Sequence, residues 1–328
     1  MDNVKNLKNA LRSLDTIEKV DDYGMFRMTY FGDYGFDDFL KVGAKCDDDI
    51  DAFLSKHFFD GISLDIKKGG CTVFTARNAK NEVLFCRNYD FSQYSLSLQL
   101  FTKPDNGYAS VSTVSLMFLG YNENTLPSGL NINSFTTIIS PYLPMDGVNE
   151  KGLAIGLMAL PEAKPPFDEN KVTLNTTATI RLVLDKASTT DEAIDLLRQY
   201  NIYFSEDICC HFLIVDASGN SAIVEYWDGD VKVTTPDTPY QIAANFLTCN
   251  TDIAEGGDEF ERYNKVKAAI EKGGEVLSEE QAVDLLIDVR STKSNLQWSV
   301  MCNLSALEGA IFANGNTNNQ IKFNLEPV

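Results

Sequence analysis

The stretch CTVFTARNAKNEVLFCRNYDF, residues 71–91, has the pattern of a β-hairpin. Its two apolar runs, CTVFTAR and EVLFCRN, flank a polar turn around ARNAKNE, which is typical of two antiparallel strands. Two glycines, Gly69 and Gly70, come directly before Cys71. They have two interpretations: an ordinary turn into a buried cysteine, or a bond between Gly70 and Cys71 that is meant to be cut.

Composition restricts the class of protein. The chain has 328 residues, of which 44% are hydrophobic and 23% charged, as in a folded protein of one large domain or two modest ones. The net charge of −19 repels phosphate backbones, so we expect no nucleic-acid partner. No apolar run approaches the ~20 residues of a membrane-spanning helix. The polar N-terminus lacks a signal-peptide core. We expect a cytoplasmic protein as written, or a secreted one if a leader precedes this sequence.

Periodicity and capping residues predict strands grouped around a few central helices. A strand is expected within 22–35, and a second hairpin over 211–229 has the turn Asp-Ala-Ser-Gly-Asn. The predicted helices are Asp47–His57, Thr176–Lys186, Thr190–Tyr200, Phe260–Glu271 and Ser278–Val289, the last with a Ser-x-x-Gln capping box. This order indicates a layered α+β fold.

Cysteine and histidine usage leaves several chemistries to compare. The seven cysteines have no regular spacing, which argues against a disulfide framework, and the chain has only two histidines. His211 paired with Cys71 would make a histidine-dependent cysteine peptidase, although a lone histidine on an apolar strand is usually a core residue. Cys209, Cys210 and His211 are consecutive, and neighbouring strand residues point to opposite faces, so we expect no zinc site. No metal or organic cofactor is implied.

A third chemistry needs no histidine. If the chain is cut before Cys71, that residue gains a free α-amine with a reference pKa of ~7.7–8, which can act as the base for its own thiol. The thiol itself can make the cut by attacking the Gly70 carbonyl, after which water resolves the thioester. Glycine before the nucleophile permits the strained backbone that this step requires.

Further along the hairpin the sequence resembles a known family. Cys71-Thr72, followed by Arg87-Asn88-Tyr89-Asp90, resembles the opening of the choloylglycine hydrolase family, which includes bile salt hydrolases and penicillin V acylases. Arg87 and Asp90 follow Cys71 by 16 and 19 residues, as in that family. The segment 149–153, NEKGL, resembles its Asn-Glu-x-Gly-Leu turn. The resemblance covers about residues 71–270 and implies the four-layer αββα sandwich of N-terminal-nucleophile (Ntn) hydrolases.

The resemblance also implies roles for the hairpin residues. Gly70–Cys71 is the expected cleavage site, and Cys71 is the expected nucleophile with its own α-amine as base. Asp90 is expected to hold that amine by a charge-assisted hydrogen bond. Arg87 is expected to lower the thiol pKa and to orient the site. Cys86, beside Arg87 on the strand, points to the opposite face and is interpreted as core.

Three positions outside the hairpin complete the implied site. Asn245 lies where the family has an asparagine that donates to the oxyanion. Arg262 resembles the family's late arginine, expected to hold the site through a carboxylate or a backbone partner. Ala159 takes the place of a second asparagine found in bile salt hydrolases. We therefore expect a backbone N–H donor there, and bile-salt specificity is not implied.

Residues 1–70 are expected to be a pro-segment, and residues 71–328 the Ntn-hydrolase domain. Bile salt hydrolases have only a very short leader, whereas isopenicillin N acyltransferase and acid ceramidase-like amidases remove a longer segment. The stretch 21–40 is rich in aromatic residues. We therefore expect residues 1–70 to fold with the rest of the chain and to stay bound after cleavage. A homo-oligomer is a further partner that the sequence allows.

The implied reaction is hydrolysis of a linear, non-peptide carbon–nitrogen bond through an acyl-thioester on Cys71. The expected partner is a small acyl-amide with an apolar acyl group, in a pocket lined by Phe74, Phe91 and Met158. Bile salts, penicillin V, N-acyl amino acids and fatty amides all fit this description. An acyltransferase of the same fold and a catalytically silent binding protein remain as alternatives.

Overall fold

Two stacked β-sheets form the centre of the protein, and helices cover both outer faces. The structure is a computed structural model that describes residues 3–64, 70–128, 132–250 and 256–325, with the backbone alone described at 3–6, 132 and 133. Residues 65–69 of the predicted pro-segment, which include Gly69, therefore lie outside the described residues.

The helices and strands have the following bounds. The helices are α1 (Asn3–Asp15), α2 (Phe36–Val42), α3 (Asp47–His57), α4 (Thr176–Lys186), α5 (Thr190–Leu197), α6 (Asp258–Lys272) and α7 (Glu279–Asp288). The strands are β1 (Glu18–Lys19), β2 (Met25–Tyr30), β3 (Gly70–Arg77), β4 (Val83–Phe91), β5 (Ser97–Thr102), β6 (Ser110–Ser115), β7 (Pro144–Asn149), β8 (Ala154–Ala159), β9 (Thr173–Asn175), β10 (Asn201–Tyr203), β11 (Cys210–Val215), β12 (Ser221–Trp227), β13 (Asp230–Thr234), β14 (Ile242–Ala243), β15 (Asn295–Asn303), β16 (Glu308–Ala313) and β17 (Ile321–Asn324). Short 3-10 segments occupy Leu116–Leu119, Ile132–Tyr142 and Ser205–Asp207.

The strands form two large sheets and one small pair. The first sheet has the order β1-β2-β5-β6-β7-β8-β11-β12-β13, the second β14-β3-β4-β15-β16-β17, and β9 pairs with β10. Helices α4 and α5 pack on the first sheet, α6 and α7 on the second, and β3 faces β8 between the sheets. The predicted four-layer αββα architecture is confirmed. None of the helices in the described ranges combines the length and the apolarity that crossing a membrane requires.

The predicted local structure is largely confirmed. Strands β3 and β4 pair antiparallel along their full length, from Gly70 opposite Asp90 to Arg77 opposite Val83. Helices α3 and α4 have the predicted bounds, and the capping box at Ser278 forms at the start of α7. Helix α5 ends at Leu197, three residues earlier than predicted.

The Asn-Glu-x-Gly-Leu segment is a tight turn between β7 and β8. Asn149 is fully buried and its side-chain oxygen accepts from the N–H groups of Lys151 and Leu153, at 3.0 and 3.1 Å. Its amide nitrogen donates to the carbonyls of Leu184 and Ala187 at the end of α4, at 3.0 and 2.8 Å. Gly152 has φ +74°, which favours glycine. This segment therefore fixes α4 against the sheet.

The N-terminal segment is part of the fold rather than a layer on top of it. Strand β2 pairs in parallel with β5 and so extends the first sheet. The buried Tyr34 hydroxyl donates to Asp185 at 2.6 Å, and Tyr142 donates to the Tyr34 carbonyl at 2.9 Å. One apolar core contains residues from β2, α2 and α3 together with Leu98, Tyr142 and other residues beyond Cys71.

Candidate active site

The β3–β4 hairpin places Cys71 at the start of an inner strand. Cys71 lies opposite Tyr89, and Val73 lies opposite Arg87, so the three side chains of Cys71, Tyr89 and Arg87 project from one face. That face looks toward the other sheet, because β3 packs against β8. Cys71 is only 1% exposed. The thiol is therefore buried between the two sheets, and Cys86, on the opposite face, lies in the core beneath α6 and α7 as predicted.

Arg87 connects the thiol to a buried carboxylate. Its Nη2 atom lies 3.5 Å from Cys71 Sγ and donates to the Leu157 carbonyl at 2.9 Å. Its Nη1 atom donates to Asp146, which also accepts from Trp298 Nε1 at 3.0 Å. Asp146 was not singled out from the sequence, because an isolated aspartate in an apolar strand has no spacing that links it to Arg87.

A glycine makes room for this guanidinium. A Cβ atom at Gly156 on β8 would lie 2.9 Å from Arg87 Cδ and 3.2 Å from Arg87 Nε. A side chain at this position would crowd the part of Arg87 that leads to its guanidinium group. The glycine therefore gives Arg87 room between the two sheets.

Burial controls the charge of the thiol in the uncut chain. Burial raises the pKa of Cys71, and the nearby Arg87 offsets only part of that increase. Asp90 and Asp146 raise the thiol pKa further. Arg87 thus acts on the thiol pKa in the predicted direction, and burial is the larger effect.

Asn245 contacts the backbone nitrogen of Cys71. Its Oδ1 atom accepts from the Cys71 N–H at 2.9 Å and from Arg262 Nη2 at 2.9 Å. Its Nδ2 atom donates to the carbonyl of Ala159 at 2.8 Å. The N–H that Asn245 holds belongs to the peptide bond between Gly70 and Cys71. The donor role expected of the Ala159 N–H stays a prediction.

Arg262, near the start of α6, contacts the backbone carbonyl of Cys71. It donates from Nη1 to the Cys71 carbonyl at 2.7 Å and to the Thr72 hydroxyl, and from Nε to Asp258 at 2.8 Å. Burial alone would raise the pKa of Asp258, but hydrogen bonds from Thr292 and the charge of Arg262 lower it to about 2. Arg262 therefore has both kinds of partner that the sequence allowed, a carboxylate and a backbone group.

Asp90 lies on the other face of the hairpin, next to the peptide bond between Gly70 and Cys71. It is fully buried opposite Gly70, where a Cβ atom would lie 3.6 Å from Asp90 Cβ. Its Oδ1 atom accepts from the Ser291 N–H at 3.2 Å, and Oδ2 has no hydrogen-bond partner within the described part of the chain. Burial raises the pKa of Asp90 to about 6, although Arg262 opposes the shift.

His211 is not available as a base for the thiol. Its ring nitrogens are occupied by Glu225 Oε1 at 2.9 Å and by the Ala244 carbonyl at 2.8 Å. The peptidase alternative, which needs a histidine nitrogen at Cys71, has no support in this geometry. Within the described ranges no group of three His, Cys, Asp or Glu side chains is arranged to hold a metal.

Comparison with known proteins identifies the family. A model of the linear amide C–N hydrolases, choloylglycine hydrolase family, matches residues 71–252, which begin at Cys71 and make up more than half of the chain. The chain belongs to the choloylglycine hydrolase family.

Relatives in this family include penicillin V acylases and bile acid hydrolases. Penicillin V acylase of Pectobacterium atrosepticum is 36% identical over 114 residues, which cover 31% of this chain and only 30% of that protein. Penicillin V acylase of Agrobacterium tumefaciens superposes with a TM-score of 0.52 at 17% identity, over 74% of this chain and 83% of that one. A cysteine-to-alanine mutant of conjugated bile acid hydrolase from Clostridium perfringens gives 0.54 at 16% identity, over 78% and 92%. The two structural likenesses show a shared fold.

A narrow apolar cavity adjoins the thiol. It has a volume of about 30 Å³. Its lining residues are Cys71, Tyr89, Phe118, Met145, Leu157, Ala159, Thr176, Thr177, Ser205, Ile208 and Cys210.

The predicted pocket residues are not those that line the cavity. Phe74 is three residues from Cys71 and so lies on the opposite face of β3, in the core beneath α6 and α7. Met158 lies between Leu157 and Ala159, which face the cavity, and therefore faces away from it. Phe91 shares the face of Tyr89 but stacks beside it, with ring centroids 6.2 Å apart, instead of lining the cavity.

A second, more polar groove reaches Gly70, the residue before Cys71. It has a volume of about 440 Å³, and its lining includes Gly70, Asn245, Arg262, Ser291 and Lys293. Cys71 is thus placed between an apolar cavity and a polar groove.

The Arg262–Asp258 pair should be strongly coupled. In a Cys71→Ala background, Arg262→Gln or Asp258→Asn alone leaves a buried charge without its partner, and each should cost about 3–5 kcal/mol of unfolding free energy. The double variant should cost less than the sum by about 1–3 kcal/mol, measured by chemical denaturation.

The exposed pair Lys267–Glu271 on the same helix, with nitrogen and oxygen 3.9 Å apart, is the matched control. Its coupling should not exceed about 0.5 kcal/mol. If the coupling energy between Arg262 and Asp258 were as small as that of the surface pair, Arg262 would not be held in place by Asp258.

Proposed function

We propose that this chain is a self-processing amidohydrolase, in which Cys71 first cuts the Gly70–Cys71 bond and then hydrolyses linear amides. The observation that carries the proposal is the hydrogen-bond arrangement at Cys71. Its thiol lies 3.5 Å from Arg87, while its N–H is held by Asn245 at 2.9 Å and its carbonyl by Arg262 at 2.7 Å. Both bonds that flank the nucleophile are therefore held still, while the thiol itself is not part of a disulfide.

Self-cleavage proceeds through a thioester. The Cys71 sulfur adds to the Gly70 carbonyl carbon, the bond from that carbon to the Cys71 nitrogen breaks, and the nitrogen takes up the thiol proton. Water then hydrolyses the thioester between Gly70 and the sulfur. The products are a carboxylate at Gly70, a free thiol and a new α-amine at Cys71, which supplies the general base that the uncut chain lacks.

Asp90 is the proposed partner of that amine. Asp90 lies opposite Gly70 in the hairpin, and its buried Oδ2 atom has no partner among the described residues. A buried carboxylate oxygen without a partner is unfavourable. The new amine can donate a hydrogen bond to it, and this bond becomes charge-assisted when the amine takes a further proton from water or from the thiol. Asp90 therefore favours departure of the Cys71 nitrogen and afterwards holds the α-amine in place.

Hydrolysis of the substrate repeats the same chemistry on a second amide. The α-amine takes the thiol proton, and the thiolate adds to the substrate carbonyl. The oxyanion accepts from Asn245 Nδ2, a donor whose loss typically reduces the rate by about 10²–10³. The α-ammonium gives its proton to the departing amine, and water then releases the acid from the thioester.

The two cavities divide the proposed substrate. The apolar cavity suits the acyl group, and the polar groove suits the amine that leaves. Relatives of this chain are named penicillin V acylase and conjugated bile acid hydrolase, so penicillin V and a conjugated bile acid are suitable first probes.

We further propose that residues 1–70 stay bound after cleavage. Apolar side chains from the described part of this segment are buried in one core, and burial contributes about 1.5–3 kcal/mol for each leucine, isoleucine, phenylalanine and methionine among them. They are Leu14, Ile17, Phe26, Met28, Tyr30, Tyr34, Phe36, Phe39, Ala44, Ile50, Leu54 and Ile62. If half of that burial is against residues beyond Cys71, its contribution is comparable to or larger than the association cost of about 4–15 kcal/mol.

An acyl group should accumulate on Cys71. Rapid quenching of the reaction with penicillin V, followed by intact mass analysis, should show the acyl mass on the fragment that begins at Cys71. Cys71→Ala should carry no adduct, whereas Cys210→Ala, which removes the other thiol of the cavity, should still be acylated.

No adduct and no hydrolysis with either probe class in a cleaved protein would favour a silent binding protein. Acyl transfer to added glycine faster than to water would assign the acyltransferase reaction instead.

Self-cleavage should depend on the ionisation of Asp90. Because its pKa is about 6, the carboxylate is largely neutral at pH 5 and charged at pH 7. The first-order cleavage rate should rise through pH 6, with the rise from thiol ionisation appearing only at alkaline pH. Asp90→Asn should be at least tenfold slower and lack the inflection near pH 6. A wild-type rate that is flat from pH 5 to 7.5 would contradict the role of Asp90.

The two fragments should co-elute in native gel filtration and separate in denaturant. Tyr34→Phe, which removes the bond to Asp185, should release the N-terminal fragment at a lower denaturant concentration than wild type. Tyr23→Phe, at a half-exposed site, should behave as wild type. A small fragment that elutes alone without denaturant would show that the segment is not retained.

A further inference from the structure

A buried histidine–glutamate pair lies behind the loop that carries Asn245. His211 is on β11 and Glu225 is on β12, and both side chains are completely buried. The His211 Nδ1 atom lies 2.9 Å from Glu225 Oε1, and its Nε2 atom lies 2.8 Å from the carbonyl oxygen of Ala244. Both neighbours are hydrogen-bond acceptors. Each ring nitrogen therefore faces an acceptor, an arrangement that favours an N–H donor at both positions.

Glu225 also accepts hydrogen bonds from the loop that carries Asn245. It accepts from the Thr248 N–H at 2.7 Å, from the Thr248 hydroxyl at 2.9 Å and from the Cys249 N–H at 2.7 Å. Burial would raise the pKa of Glu225, but His211 and these loop donors outweigh it and lower the pKa to about 2. Glu225 is thus a stable anion with four hydrogen bonds.

These contacts hold the loop on both sides of Asn245. Strand β14 ends at Ala243, and residues 244–250 have no helix or strand of their own. His211 holds the residue directly before Asn245, and Glu225 holds the residues three and four positions after it. The position of the Asn245 amide relative to Cys71 therefore depends on a charged pair that touches neither Cys71 nor the substrate cavity.

We propose that His211 and Glu225 are positioning residues that set the geometry of Asn245 for self-cleavage and for oxyanion binding. The proposal rests on the function proposed above. Misplacement of a catalytic group by about 1 Å can cost on the order of 10² in rate, so a loop that shifts without unfolding is enough to impair the chemistry.

Glu225→Gln tests this role with little change of shape. The glutamine amide places an NH₂ group against N–H donors, so the loop should lose part of its anchorage. The precursor should cleave at Gly70–Cys71 at least tenfold more slowly, measured as a time course of intact mass. In the cleaved enzyme, kcat for penicillin V should fall at least tenfold, while KM changes less than threefold.

A role that acts through Asn245 has a further signature. In an Asn245→Ala background, Glu225→Gln should slow self-cleavage by less than twofold, because the group that it positions is already gone. Ser299→Ala is the stability control, because it removes a buried 2.7 Å hydrogen bond to Asn88 in the other sheet. It should lower stability but leave the cleavage rate unchanged.

The charge state of His211 is separately measurable. The chain has only two histidines, so ¹⁵N-histidine labelling gives two ring systems to assign. In the wild type, His211 should show protons on both ring nitrogens, and in Glu225→Gln it should lose one.

The outcomes separate the two proposals. If the wild type cleaves and Glu225→Gln cleaves equally fast, or if its effect is undiminished in Asn245→Ala, the positioning role is wrong and the amidohydrolase proposal stands. A wild-type His211 with only one ring proton would also overturn the pair as described. If the wild type itself neither cleaves nor hydrolyses, the proposed function fails, and the positioning role fails with it.

Discussion

The backbone of Cys71 is held at both ends, and the arrangement of the site depends on this constraint. Asn245 accepts from its N–H, and Arg262 donates to its carbonyl. Arg262 also donates to Asn245, so the two side chains form one connected unit around a single residue. Asp258 balances the charge of Arg262 from the same helix, which ties the start of α6 to the start of β3. The hairpin register then determines where Arg87 and Asp90 lie.

The two faces of the hairpin have different electrostatic conditions. On the inner face, Arg87 lies between the Cys71 thiol and the carboxylate of Asp146. Its positive charge therefore interacts with both groups. On the outer face, Asp90 is buried with one oxygen unpaired among the residues that the structure describes. Burial keeps the thiol mostly neutral, and the proposed cleavage would place a base beside it. Burial thus opposes ionisation of the thiol and, by excluding water, strengthens the interactions between the charges around it.

Much of this arrangement was predictable from the sequence, for identifiable reasons. The hairpin, the helices at 47–57 and 176–186 and the capping box at Ser278 follow from local patterns, which need no knowledge of distant contacts. The spacing shared with the family predicted that Arg87 and Asp90 lie close to Cys71. Asp146 was missed because it contacts Arg87 from a strand that is distant in sequence. The His211–Glu225 pair lies within the predicted hairpin at 211–229 and was missed because a lone histidine on an apolar strand was interpreted as a core residue. The prediction of Phe74 as a pocket residue was wrong. Phe74 is three residues from Cys71, and side chains an odd number of positions apart on a strand point to opposite faces, so the sequence already placed it away from the thiol.

The central claim is that Cys71 cuts its own N-terminal peptide bond, and intact mass analysis of freshly purified, denatured protein tests it most directly. The wild type should give two fragments, divided between Gly70 and Cys71, and Cys71→Ala should give a single full-length chain. A full-length wild type would show that Cys71 does not cut this bond. A Cys71→Ala chain cut at the same bond would contradict the claim as well, because an external protease would then be responsible.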